Sequence, residues 1–398
     1  MSRRETTVRS QGPRRAALVV GNGVLAVTIA IAGCERDPLD GTSLAGNLGP
    51  GQGPAVQGGA PGTGTAAGGA SGSGAGGAPS NSGGSGGGTI GGCMTISTAS
   101  GVMNPCGRTV GVAFSPEGQL VATATQTPPP NIHLWRLSDG AFVRDLEGHS
   151  GGGFSVAFSP DGKILATAGE VQGGADHVND PTIVRLWDVA TGGHLRDVPA
   201  GTGFYADSAQ FSHDGTLLAT AGYWGPIQIW RVADGLPLTS IPTSNTVYSA
   251  RFSTDDQRLA SAPSLMGGVW NASDGSSLFS LPGLGEDMND AAFSPAGDVI
   301  ATTGAAGRLQ IFDAAGTLLQ AWVGHDVNYT SRVLWVGPDQ FVSDDWGGNV
   351  KSWTRDASGT FGPSGSWSLG TQAMGTAVSP DGARLVVGTG AGFVFLAL

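Results

Sequence analysis

One pattern returns seven times along residues 110–398, and it leaves few folds open. Its first copy is Val112-Ala113-Phe114-Ser115-Pro116-Glu117-Gly118, followed by Leu120-Val121-Ala122-Thr123. The marker at Phe114 is repeated by Phe158, Phe211, Phe252, Phe293, Trp335 and Val378, with the sixth copy, around Trp335, degenerate. The steps between markers are 44, 53, 41, 41, 42 and 43 residues. An apolar strand ends at the marker, a Ser-Pro-Asp-Gly type turn reverses the chain, and a second apolar strand returns. Proline presets φ in such a turn, and glycine accepts the positive φ that closes it.

The second half of each unit supplies a third strand, as in Ile132-His133-Leu134-Trp135, Ile227-Gln228-Ile229-Trp230 and Val350-Lys351-Ser352-Trp353. A turn such as Asp139-Gly140 or Asp234-Gly235 then leads to a short outer strand. A period near 42 with four strands is one blade, and a blade alone cannot bury both of its faces. Stacking the blades in a ring does so, with small residues crowding the centre and Trp and Phe filling the wedges between neighbours. The expected fold is therefore all-β, a seven-bladed β-propeller over 93–398. A six-bladed ring and an eighth partial blade are the alternatives. The last unit ends in its third strand at Phe393-Val394-Phe395-Leu396, so its outer strand has to come from elsewhere. Met94-Thr95-Ile96-Ser97, ahead of the first repeat, is the expected donor, since a bare edge is a liability.

These units resemble the WD40-repeat family. Trp187-Asp188 is the literal Trp-Asp, Phe312-Asp313 a variant of it, and Gly148-His149 and Gly324-His325 match the Gly-His signature. The resemblance covers about 305 of the 398 residues. It implies a ring used as a protein-interaction platform. It also implies a buried His–Ser–Trp–Asp network in the blades. Here the position about six residues before the third-strand Trp holds Pro129, Pro181, Trp224, Ser264 or Gly347 instead of Asp, so the network is expected to be incomplete in most blades.

The N-terminal region reads differently. Five arginines (Arg3, Arg4, Arg9, Arg14 and Arg15) precede an apolar run from Ala16 to Ala32, which stops at Ile31-Ala32-Gly33-Cys34. Charge, apolar stretch and small residues make the pattern of an export signal over 1–33, with a short spanning helix as the alternative. The last four residues resemble a bacterial lipobox, which implies lipidation of Cys34 and a cell-envelope location, anchored to the outer membrane or cell surface. Residues 34–92 form a tether; 22 of the chain's 69 glycines lie in 41–92, and the stretch has almost no large apolar side chains with which to offset ordering entropy. Cys93 and Cys106 then remain as a candidate disulfide pair in an exported chain, with two free thiols as the other possibility.

The formal net charge is −11 and the basic residues are scattered, which argues against nucleic acid as a partner. The step of 53 residues marks an insertion in the second blade, where Glu170, Asp176, His177 and Asp180 could meet a partner or a metal ion; no recognised ligand spacing is present. Two other connections of the same kind carry Tyr223-Trp224 and Asp344-Asp345-Trp346. Together these residues make the expected partner-binding face, an aromatic patch rimmed with acid, unless the tryptophans pack on their own blades. No nucleophile elbow, phosphate loop or dinucleotide fingerprint occurs, and no catalytic residue or cofactor is assigned. The expected function is a membrane-tethered scaffold for a protein or peptide partner. An envelope hydrolase or metal-dependent propeller enzyme, and a propeller binding a glycan or small molecule, are the alternatives.

Overall fold

In the computed structural model the described residues are 102–103, 107–126, 130–170, 181–202, 206–222, 225–243, 246–263, 266–283, 287–326 and 329–398. They carry strands in seven four-stranded antiparallel sheets. In the first blade the strands run, from the centre outward, Thr109–Phe114 (a), Leu120–Thr125 (b), Ile132–Arg136 (c) and Phe142–Leu146 (d). The a–b, b–c, c–d order recurs around the ring, so b–c and d–a connections gather on one face and a–b and c–d turns on the other. The six- and eight-bladed alternatives are thereby excluded for the described residues.

The a–b turns show why Ser, Asp and Gly recur together. Ser159 Oγ donates to Asp161 Oδ1 at 2.7 Å and accepts from Ile164 N at 2.9 Å, while Lys163 N donates to the same carboxylate. Ser212, Ser253 and Ser379 repeat the arrangement with Asp214, Asp255 and Asp381. The Ser hydroxyl holds each of these four carboxyls below its ordinary range. Glycine closes most of these turns at φ near +70°. The fourth blade has Asp256 there, at φ +56°, and its carboxylate accepts from His213 N, His213 Nδ1 and Asp214 N of the preceding blade. A turn without glycine is thus tied across the wedge by the side chain that replaces it.

Apolar side chains bury themselves in seven clusters, each lying between two neighbouring blades. Trp187 of the second blade packs with Ala122, Leu134 and Leu146 of the first. Trp230 of the third packs with Ala166, Leu186 and Val198 of the second, and Trp353 of the sixth with Ala301, Leu309 and Ile311 of the fifth. Alanines at the b-strand positions leave room for these indoles. Burying one such ring contributes roughly 3 kcal/mol or more, which makes the inter-blade wedge the main source of stability.

The ring closes on itself. Strand β1 (Val102–Met103) pairs antiparallel with β28 (Gly392–Ala397), in register Val102↔Val394 and Met103↔Phe393. β28 in turn pairs with β27 (Arg384–Thr389), and β27 with β26 (Ala373–Val378). Phe114, Val121 and Trp135 of the first blade share a cluster with Val386 and Phe393 of the seventh. The expected borrowing of an outer strand is therefore present, but Val102–Met103 supplies it; Met94–Ser97 lie outside the described residues.

Two expectations about the N-terminal region need correction. No disulfide is formed among the described residues, Cys93 and Cys106 lie outside them, and the seam is held by strand pairing and aromatic packing. No helix among the described residues is long and apolar enough to cross a membrane, and Cys34, like the signal and tether, lies outside them. Nothing in the fold supports acylation or membrane attachment, and both drop out of the functional reading.

Candidate functional site: the channel face

Two buried networks come first, because they decide which polar groups are available. In the sixth blade Trp353 Nε1 donates to Ser343 Oγ at 2.9 Å, His325 Nε2 lies 2.7 Å from the same hydroxyl, and His325 Nδ1 lies 2.8 Å from Asp345 Oδ2. The network expected to be incomplete is whole in this blade. Its acid is Asp345, eight residues before Trp353, and a count of six lands on Gly347. The intervening Asp345–Gly348 turn shifts the spacing: Gly348 N donates to Asp345 O, and Asn349 N and Nδ2 donate to the carboxylate. Burial pushes the Asp345 carboxyl up, but the hydrogen bonds from His325 and Asn349 outweigh it and hold it below its ordinary value.

The second blade has only part of this network. Trp187 Nε1 donates to Thr167 Oγ1 at 2.9 Å, and His149 Nε2 lies 3.0 Å from that hydroxyl. Gly169 takes the place that Asp345 has in the sixth blade. A Cβ there would stand 2.3 Å from Gly152 O and 2.5 Å from His149 Cγ, so the imidazole occupies the space of the missing acid. His149 Nδ1 is buried with no partner among the described residues. Burial, then the nearby Arg185 guanidinium, lowers its pKa to about 4. Arg185 Nη1 donates to Gly148 O, immediately beside it.

On the b–c and d–a face the inner strands leave a cavity of about 460 Å³ at the mouth of the central channel. That volume lies in the range of ligand pockets, ~300–1,000 Å³. Tyr329 and Trp346 stack at its rim with centroids 5.1 Å apart and planes at 23°. Trp346 is 55 % exposed and Tyr329 42 %, and Tyr248 adds a third exposed ring across the mouth. Among the described residues Arg108, Arg251 and Arg332 and the carboxylate of Asp290 line the cavity. Asp290 is engaged by Arg251 Nη2 at 2.7 Å and by Val333 N at 3.0 Å. Arg108 is exposed, and its Nε donates to the Met374 thioether at 2.9 Å, a weak acceptor that brings no charge.

The expected face is thus partly reassigned. Trp346 is exposed and stands on the cavity. Asp344 and Asp345 do not form an acid rim: they are 1 % and 0 % exposed. Asp344 accepts from Arg332 N and Thr376 Oγ1, and burial raises its pKa. The strand that carries them alternates its side chains into the wedges before the turn that presents Trp346. Glu170 ends a b strand of the second blade; Asp176, His177, Asp180, Tyr223 and Trp224 lie outside the described residues. The arginines and tyrosines were missed, although their positions carry a signal. Val110, Phe154, Tyr248, Asn289, Ser331 and Met374 all stand four residues before a repeat marker, and Arg251, Asp290 and Arg332 lie one or three before. Reading those columns across the repeats spells out the channel mouth.

Among the described residues no group of three or more His, Cys, Asp or Glu side chains is placed to hold a metal ion. His325 and Asp345 pair in acid–base fashion, but both are sealed from solvent and orient the Trp353 network.

Seven four-stranded sheets closed by the first strand define a seven-bladed β-propeller with a WD40-like repeat region. Residues 140–188 match the family model of the WD domain, G-beta repeat. That segment spans both Gly148-His149 and Trp187-Asp188.

Proposed function

We propose that this propeller is a scaffold that holds a protein or peptide partner on its channel face and performs no chemistry of its own. The fold is capable of mediating protein contacts, and the carrying observation is the stacked Tyr329–Trp346 pair, exposed at the rim of a concave, polar-lined mouth. Aromatic anchors beside a pocket are the groups that dominate binding energy at interfaces. Trp187, Trp230 and Trp353, by contrast, are spent in the wedges between blades. The experiment is affinity capture with the purified protein as bait, comparing wild type with Tyr329→Ala/Trp346→Ala. Loss of a reproducibly captured partner by the double variant, at unchanged melting temperature, supports the reading; undiminished capture rejects it.

A further inference from the structure

The outer strands of the blades are the edges of this ring, and among the described residues all but one carry a device that keeps a further strand off. Phe142–Leu146 holds Arg144 and Asp145, and His194–Thr202 holds Arg196, Asp197 and Pro199. Pro237–Ile241 opens on proline, Ser277–Pro282 closes on it, and Phe361–Ser368 contains Pro363. Val102–Met103 is only 2 residues long. Charge, proline and shortness are what protect a sheet edge from pairing with another chain. The fifth blade ends differently. Its outer strand β21 (Leu318–Val323) reads Leu-Leu-Gln-Ala-Trp-Val, with no charge, proline or glycine.

β21 is held in place from one side and bare on the other. Gln320 Nε2 donates to Phe361 O at 2.8 Å, and Gln320 Oε1 accepts from Phe361 N at 2.9 Å, which ties the strand to the sixth blade. Trp322, on the same side, packs edge-on against Trp353 with centroids 5.3 Å apart. The alternate residues Leu319, Ala321 and Val323 point the other way and are exposed. Val323 at 61 % and Leu319 at 56 % are the two most exposed large apolar side chains among the described residues. The inner edge of β21 pairs with Arg308–Asp313, and its outer edge pairs with no described strand.

We propose that this edge pairs antiparallel with the same edge of a second copy of the chain, about a two-fold axis at Ala321. That register sets Ala321 opposite its own copy and Leu319 opposite the second copy's Val323. The exposed stripes then join on one face, and no strand residue brings a charge to the interface. A slip of one residue puts the two stripes on opposite faces. Closed two-fold pairs need such a self-complementary surface. A small residue at the axis with large ones on either side supplies it, which favours the copy over a foreign strand. Each β21 leads from the face of the c–d turns to the channel face. Antiparallel pairing therefore points the two channel faces in opposite directions and leaves both open. The proposal is independent of the scaffold reading.

The test is sedimentation velocity of the full chain over a range of concentrations. An edge of 6 residues is a small interface, so the dissociation constant is expected on the order of 10–100 µM. Val323→Lys weakens the dimer at least about tenfold, at unchanged melting temperature in dilute solution. Leu319→Lys does the same and is the second variant should Val323→Lys melt lower. Leu238→Lys, on the outer strand of the third blade, leaves the dimer unchanged. A photo-crosslinking amino acid at position 321 joins two copies, and one at position 238 does not. A chain that stays monomeric up to about 1 mM overturns the proposal. So does a dimer indifferent to Val323→Lys and Leu319→Lys, or crosslinking of two copies from 238 and not from 321. A monomer whose position 321 captures a different chain also overturns it, in favour of a foreign strand.

Discussion

Arg251 and Asp290, on the innermost strands of neighbouring blades, form a 2.7 Å ion pair whose carboxylate is 1 % exposed. The same carboxylate accepts from Val333 N, so one side chain links three consecutive blades around the channel. Breaking a buried pair from one side strands the remaining charge and costs about 3–5 kcal/mol. Asp290→Asn is therefore expected to lose about 3 kcal/mol in urea unfolding, and Asp290→Ala more. A loss below about 1 kcal/mol would mean that the pair is not desolvated.

The indole partners separate two kinds of buried hydroxyl. Trp230 Nε1 donates to Thr220 Oγ1 at 2.9 Å, whereas the fifth blade has Phe312 in its third strand and Thr302 Oγ1 has no partner among the described residues. Thr220→Val should cost about 1–3 kcal/mol, because it leaves a buried indole N–H unpaired. Thr302→Val should be neutral or slightly stabilising. Denaturant melts of the two variants check the contrast, and equal losses would contradict it.

His149 gives the stability a pH dependence with a definite sign. Its pKa falls from the ordinary 6.5 to about 4 in the folded protein, so between these values the unfolded chain binds more protons. The contribution is fully present above pH 6.5 and is lost as pH falls toward 4. It amounts to roughly 3 kcal/mol at most. His149→Gln should flatten the change in melting temperature between pH 7 and pH 4.5; an unchanged slope would show that the imidazole is not buried neutral.

The seam makes a further prediction. Deleting the chain through residue 106 removes the strand that covers the edge of β28. With about 1 kcal/mol for each net hydrogen bond, the cost is about 2 kcal/mol. The bare edge should also drive concentration-dependent association. Melting and light scattering of the truncated protein test both, and a monomer of unchanged stability would place the closure elsewhere.

The fold was legible because the apolar positions repeat in phase, and only a closed ring of stacked blades buries both faces of each. Trp135, Trp187, Trp230 and Trp353 are all buried in wedges or against their own strands, as their register in the third strand implied. What the repeat did not disclose lies where it is interrupted. The acid of the sixth-blade network was hidden by a turn that moves Asp345 two places from the expected column. Asp344 and Asp345 next to Trp346 look like a charged surface loop, yet strand alternation and a reversal after Asp345 turn the carboxylates inward and the indole outward. The channel mouth was invisible along the chain because its residues come singly from different blades. Arg108, Arg251 and Arg332 are far apart in sequence and meet only when the ring closes.

The central claim is that the partner docks on the face carrying Trp346. A photo-crosslinking amino acid placed at position 346, and separately at Gln257 in an a–b turn on the opposite face, tests it directly in the full chain. The partner should be captured covalently from position 346 and not from 257. Crosslinking from 257 with none from 346 would contradict the account.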